Sequence, residues 1–133
     1  MSRERAPRPR RARGAQESLA SVVLGFESIV VFLGGLVVFG LGALPDSVSD
    51  AWGIAGGSVL ALLMVFTVPV LRHTWGIAVG WALQAVLAAG AFLVPALGIV
   101  ALVFGAMYAY ATIKGGELDR RNARRAATAT NGE

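Results

Sequence analysis

Cysteine is absent from the 133 residues, which excludes disulfides, thiol nucleophiles and thiolate metal sites. Charge is scarce too: Asp, Glu, Lys and Arg make up 15% of the chain, against about 25% in an ordinary soluble domain. The single histidine, His73 in "LRHTWG", has no second His and no nearby acid with which to hold a metal. A structural or headgroup-contacting role is expected for it. No nucleophile, base and orienting residue occur together, and the glycine-rich stretches are too apolar to cradle phosphate. Neither catalysis nor a cofactor is expected.

What is abundant is apolar sequence, 56% of the chain, gathered into long blocks. Leu19 to Leu44 is interrupted only by Ser21, Glu27 and Ser28, while Trp52 to Leu71 and Trp75 to Ile113 carry no charge at all. The last block would make about 58 Å of helix at about 1.5 Å per residue, nearly twice a bilayer core of about 30 Å. It therefore reads as two spans. The turn falls at "FLVPALG", where Pro95 lacks a backbone donor and disfavours helix at Val94. The expected fold is all-α: a polytopic membrane protein with a four-transmembrane-helix bundle, built as two helical hairpins. The expected helices lie near residues 18–44, 52–71, 75–93 and 96–113, with basic tails at 1–17 and 114–133.

The placement of charge agrees. Arg3, Arg5, Arg8, Arg10, Arg11 and Arg13 precede the first block, Arg72 divides the second and third, and Lys114, Arg120, Arg121, Arg124 and Arg125 follow the fourth. With four spans all 12 basic residues share one side, which the positive-inside rule makes the cytoplasm, so both termini are expected there in the plasma membrane. A cleaved signal peptide is the competing reading of the first block, but its apolar region is too long and holds a glutamate. The tails read as disordered or frayed, having little to build a core from, and Gly115-Gly116 is expected to end the fourth helix. Arg10, Arg11, Arg13, Arg72, Lys114, Arg120 and Arg121 are candidates for anionic headgroups at the cytoplasmic face, beside the plainer reading that they only set topology. Nucleic acid is not an expected partner, because no aromatic residue is interleaved with the arginines.

Within the blocks, small residues recur at helical spacing. Ser21, Ser28, Gly35 and Gly42 repeat every seven residues beside Gly25, Phe32 and Phe39; Gly53 and Gly57, Gly76 and Gly80, and Gly105 mark the other helices. Such columns let helices approach closely in lipid, inside the bundle or against a partner protein. Trp52, Trp75, Tyr108 and Tyr110 lie near span ends, where an aromatic belt is expected.

Glu27 is the residue that needs explaining, since an acid at mid-membrane costs roughly 2.5 to 3.5 kcal/mol on insertion scales. Counting rise from Leu19 and from Trp75 puts Glu27 and Gln84 at nearly one level, with Gly105 there and Tyr108 a turn nearer the cytoplasm. The expected site is a polar layer of Glu27, Gln84 and Tyr108 or Thr67, with a protonated Glu27 donating to the Gln84 carbonyl. Three readings stand open: a neutral packing residue, a carboxylate paired with a partner's cation or with Arg72 or His73, and a titrating group that couples protons to transport.

In outline the chain resembles the small multidrug resistance transporters, with four helices and one glutamate in the first, which implies proton coupling at Glu27. Those best known work as dual-topology dimers with little charge bias, and a bias of this size makes that arrangement unexpected here. Through "GFESIVVFLGGLVVFGL", "GWALQ" and "FGAMYAYATIKGGELDR", covering roughly residues 18 to 120, the chain also resembles a family of small four-span membrane proteins of unknown function from high-GC Gram-positive bacteria. That resemblance implies the topology without a mechanism. The expected role is an accessory or interaction component of a membrane complex, bound to a membrane-protein partner or to itself. The alternative is a small proton-coupled transporter centred on Glu27.

Overall fold

The computed structural model describes residues 13–131, and every regular element among them is helical. The helices are α1 (Ala15–Leu41), α2 (Ala51–Thr67), α3 (Thr74–Gly90) and α4 (Ala96–Asn131), with a 3-10 turn at Val68–Val70 continuing α2. Neighbours run antiparallel: Gly35 and Val38 of α1 lie against Gly57 and Gly53 of α2, and Gly80 of α3 against Tyr108 of α4. The start of α1 meets α4 at Gly115. Three helices, counting α2 with its 3-10 turn, are long and apolar enough to cross a membrane. The fourth, α3, is apolar but has 17 residues, or about 25 Å of helix.

α1 is the centre of the bundle, packed on α2 along one side and on α4 along the other, while α3 packs on α4 and less extensively on α2. The core is correspondingly thin: Ala20, Leu24, Met64, Leu87, Tyr108 and Ala111 are nearly or fully inaccessible. Large apolar side chains cover the outside instead, with Phe26, Phe66, Leu102 and Phe92 all mostly exposed. A water-facing surface of that kind would associate at once; hydrocarbon is the solvent in which it costs nothing.

The helix ends differ from expectation for local reasons. α1 stops at Leu41, not residue 44, because Gly42 adopts a φ of 57°. Its amide bonds Phe39 O and the Ala43 amide bonds Val38 O, the two bonds of a Schellman turn. Gly42 is thus a helix stop and not a packing position. α3 stops at Gly90, ahead of the expected 93, in a turn that ends at Pro95.

The larger correction is α4. The Gly115-Gly116 pair does not end it, and the expected tail from residue 114 is helical to Asn131. Gly115 is buried against the start of α1, where a Cβ would collide with Gln16 backbone, so the glycine serves close approach. Past the pair, "ELDRRNARRAATATN" is rich in Ala and Arg, good helix formers, with Lys114 and Glu117 paired at 3.5 Å. The first twelve residues, Arg10 and Arg11 among them, lie outside the described range.

Candidate intramembrane polar site

α1 presents one stripe to its neighbours, Ala20, Val23, Leu24, Glu27, Ser28, Val31, Gly35 and Val38. The three- and four-residue steps of a single helix face carry Glu27 inward with the apolar residues. Its side chain is 0% exposed. Gln84 is carried inward on α3 by the same periodicity, in line with Gly76, Gly80, Leu83 and Leu87. The Gln84 Nε2 group donates to Glu27 Oε2 at 2.5 Å, so the amide, not the acid, is the donor in that bond. Each side chain keeps one oxygen, Glu27 Oε1 and Gln84 Oε1, buried and without a partner.

Glu27 is bonded to no cationic side chain among the described residues. Arg72 and His73 are both exposed and are bonded to each other, Arg72 Nε donating to His73 Nε2 at 3.1 Å. His73 also stacks on Trp75 with ring centroids 5.7 Å apart. These contacts hold both residues at the connection between α2 and α3. Among the described residues no three His, Asp or Glu side chains gather into a metal-binding group.

The expected polar layer contracts to this pair. Tyr108 is buried, but its hydroxyl donates to Ile77 O at 2.9 Å, and its ring meets Trp81 edge to face at 5.4 Å. Thr67 is buried and donates to Leu63 O, a backbone oxygen of its own helix, at 2.6 Å. Both hydroxyls are satisfied without Glu27, Thr67 by a carbonyl one turn back in its own helix and Tyr108 by a carbonyl of α3. Ser28 and Ser21 likewise bond α1's own carbonyls, at Gly25 and Glu17.

The small residues divide by use. Gly35, Gly53 and Gly57 make the α1–α2 seam, with a Cβ on Gly57 standing 2.9 Å from Gly35 Cα. Gly80 leaves room for the Tyr108 hydroxyl, and Gly76 for the Val70 carbonyl at the turn into α3. Gly105 faces Gln84, whose Oε1 would be 3.8 Å from an added Cβ. Gly25 has nothing within 4 Å, and Phe32 and Phe39 beside it are exposed; that column faces away from the bundle.

Two features were not anticipated. At the basic end, Asp119 of α4 accepts from the first amides of α1, Ala15 N at 2.6 Å and Gln16 N at 3.2 Å. Gln16 Nε2 donates back to Thr112 O at 2.9 Å. The sequence signal was present in "KGGELD", where two glycines precede an acid by a helical turn. At the other end, where α2 and α3 diverge, lies an apolar groove of about 580 Å³, lined in part by Ala55, Gly56, Val59, Ala89 and Gly90. The described headgroup candidates, Arg13, Arg72, Lys114, Arg120 and Arg121, are all exposed on segments that meet at the basic end. A small recess there is lined by Glu117, Arg120, Arg121 and Arg124.

The chain belongs to a family of proteins of unknown function, DUF4233, whose model matches residues 18–124. No curated protein and no solved structure matches it.

Proposed function

We propose that this is a four-span plasma-membrane protein, both termini cytoplasmic, that serves without catalysis of its own as an accessory subunit of a membrane complex. The unclosed bundle carries the reading. Where α2 and α3 part, the groove is lined mostly by Leu and Val, with Ala55, Gly56 and Ala89 exposed among them, residues small enough for a partner's transmembrane helix to approach the backbone closely. The orientation rests on the basic side chains: the connections at the groove end carry Asp46 and Asp50 and no Lys or Arg. On this reading α3 completes the count with the shortest stretch that spans a bilayer.

Crosslinking tests this directly, because the chain has no cysteine of its own. Ala55→Cys and Val59→Cys, probed one at a time in native membranes, are expected to give adducts with a different polypeptide, while Phe26→Cys on the lipid-facing side of α1 gives none. Adducts with a second copy alone, or none at any groove position, would overturn the accessory reading.

The transporter reading draws on the intramembrane carboxylate. It requires a water path to Glu27, and the fully buried side chain favours it less than the open groove favours a partner.

A further inference from the structure

Glu27 and Gln84 leave one unpartnered oxygen each, on side chains already joined by a hydrogen bond. Two buried acceptors without donors are costly in any interior, and more so in hydrocarbon, where water does not supply the missing proton. An ionised carboxylate would add the cost of a buried charge with no bonded cation among the described residues.

One proton removes all three penalties. We infer that Glu27 and Gln84 form a resident proton-binding site, in which a proton on Glu27 closes a two-bond acid–amide ring. In that ring Gln84 Nε2–H donates to Glu27 Oε2, and Glu27 Oε1–H donates to Gln84 Oε1. Both unpartnered oxygens are satisfied, and no charge is buried. Exchanging the amide's oxygen and nitrogen, positions interchangeable by rotation of the side chain, gives the same ring with the proton on Oε2. The inference therefore does not depend on which way the amide points.

The surroundings leave the proton with this pair. From α4, Tyr108 commits its hydroxyl to Ile77 O. α2 contributes Ala61, Met64 and Thr67 to the buried residues, none of them titratable. Arg72 and His73 are held at the exposed loop. Gly105 covers Gln84 Oε1 only loosely, so the second bond has room to form. The ring also does structural work: α1 and α3 make little other direct contact, so it pins together two helices that packing leaves apart.

The site is independent of whether a partner occupies the groove. It is tested by infrared spectroscopy of the full chain in lipid vesicles, with Glu27→Gln to assign the carboxyl band. Carboxyl-labelled glutamate placed at position 27 alone provides the assignment should that variant not fold, since the chain has four other glutamates. The expected result is a protonated-carboxyl band that persists unchanged across the range in which exposed carboxylates and histidine titrate. In Gln84→Met it should move to the frequency of a carboxyl without a hydrogen-bond partner. A carboxylate signal from Glu27 throughout overturns the inference, whatever cation accompanies it. A band that titrates within that range also overturns it, and would return the proton to exchange with water as the transporter reading requires.

Discussion

The two faces of α2 carry the same residue type and meet opposite surroundings. All three glycines of this stretch border the groove, but Gly53 and Gly57 face α1 so closely that a Cβ on either would press on backbone or on Val38, whereas a Cβ on Gly56, between them in sequence, would meet no other helix within 4 Å. Glycine is equally suited to both positions, since in each it keeps the helix surface low. What differs is that a helix of this chain fills the one side and none fills the other. Small-residue spacing reports that some helix can come near; it does not report which.

The sharpest way to break the comparison is to fill the occupied face. Gly35→Leu would drive a side chain into the Gly53 carbonyl and Gly57 Cα. Overpacking against backbone is expected to cost about 3 kcal/mol or more, read as loss of the folded monomer in a detergent unfolding titration. A smaller loss would mean that α1 and α2 part easily and that the seam is not the core of the fold.

Next in size is the polar pair. Gln84→Leu strands Glu27 in apolar surroundings and is expected to cost about 2 kcal/mol. Glu27→Gln, which keeps a donor and an acceptor on each side, should stay within about 1 kcal/mol of the parent. Unfolding of the two variants side by side checks the order; equal losses would mean that the pair packs as bulk only.

Much of this was legible before the structure, and the failures have definite causes. Rise per residue puts Glu27 and Gln84 at one level, and a hydrogen bond joins them. Tyr108 and Thr67 share the region but bond to Ile77 and Leu63, because composition and depth do not reveal which carbonyl lies nearer to a hydroxyl. Gly42 and Gly115 show the same limit from the other direction. Spacing makes the first a packing residue, yet it stops a helix; the glycine pair makes the second a stop, yet it packs. A glycine's role depends on φ and on its neighbour, and neither is visible until the chain is folded.

Asp119 sharpens the contrast between the two ends of the bundle. At the basic end it ties α4 to the first amides of α1, while no comparable polar tie spans the groove between α2 and α3 among the described residues. A carboxylate at a helix start meets unpaired amides and the positive end of the helix dipole. Asp119→Ala is therefore expected to cost about 1 kcal/mol and to speed amide hydrogen exchange at Ala15 and Gln16 ahead of the rest of α1. Uniform acceleration along α1 would show that the tie holds the whole helix and not its end.

The smallest effect on stability should accompany the largest effect on association. Gly56→Leu adds bulk where a Cβ would meet no other helix of this chain within 4 Å and replaces glycine with a better helix former. The folded monomer is expected to change by no more than about 0.5 kcal/mol, while crosslinking from Ala55→Cys to a partner disappears because the backbone is no longer approachable. Gly57→Leu, one residue further and turned toward α1, should instead unfold the bundle. If Gly56→Leu leaves the adduct intact, the partner does not enter between α2 and α3, and the open face of α2 is a lipid-facing surface that happens to be smooth.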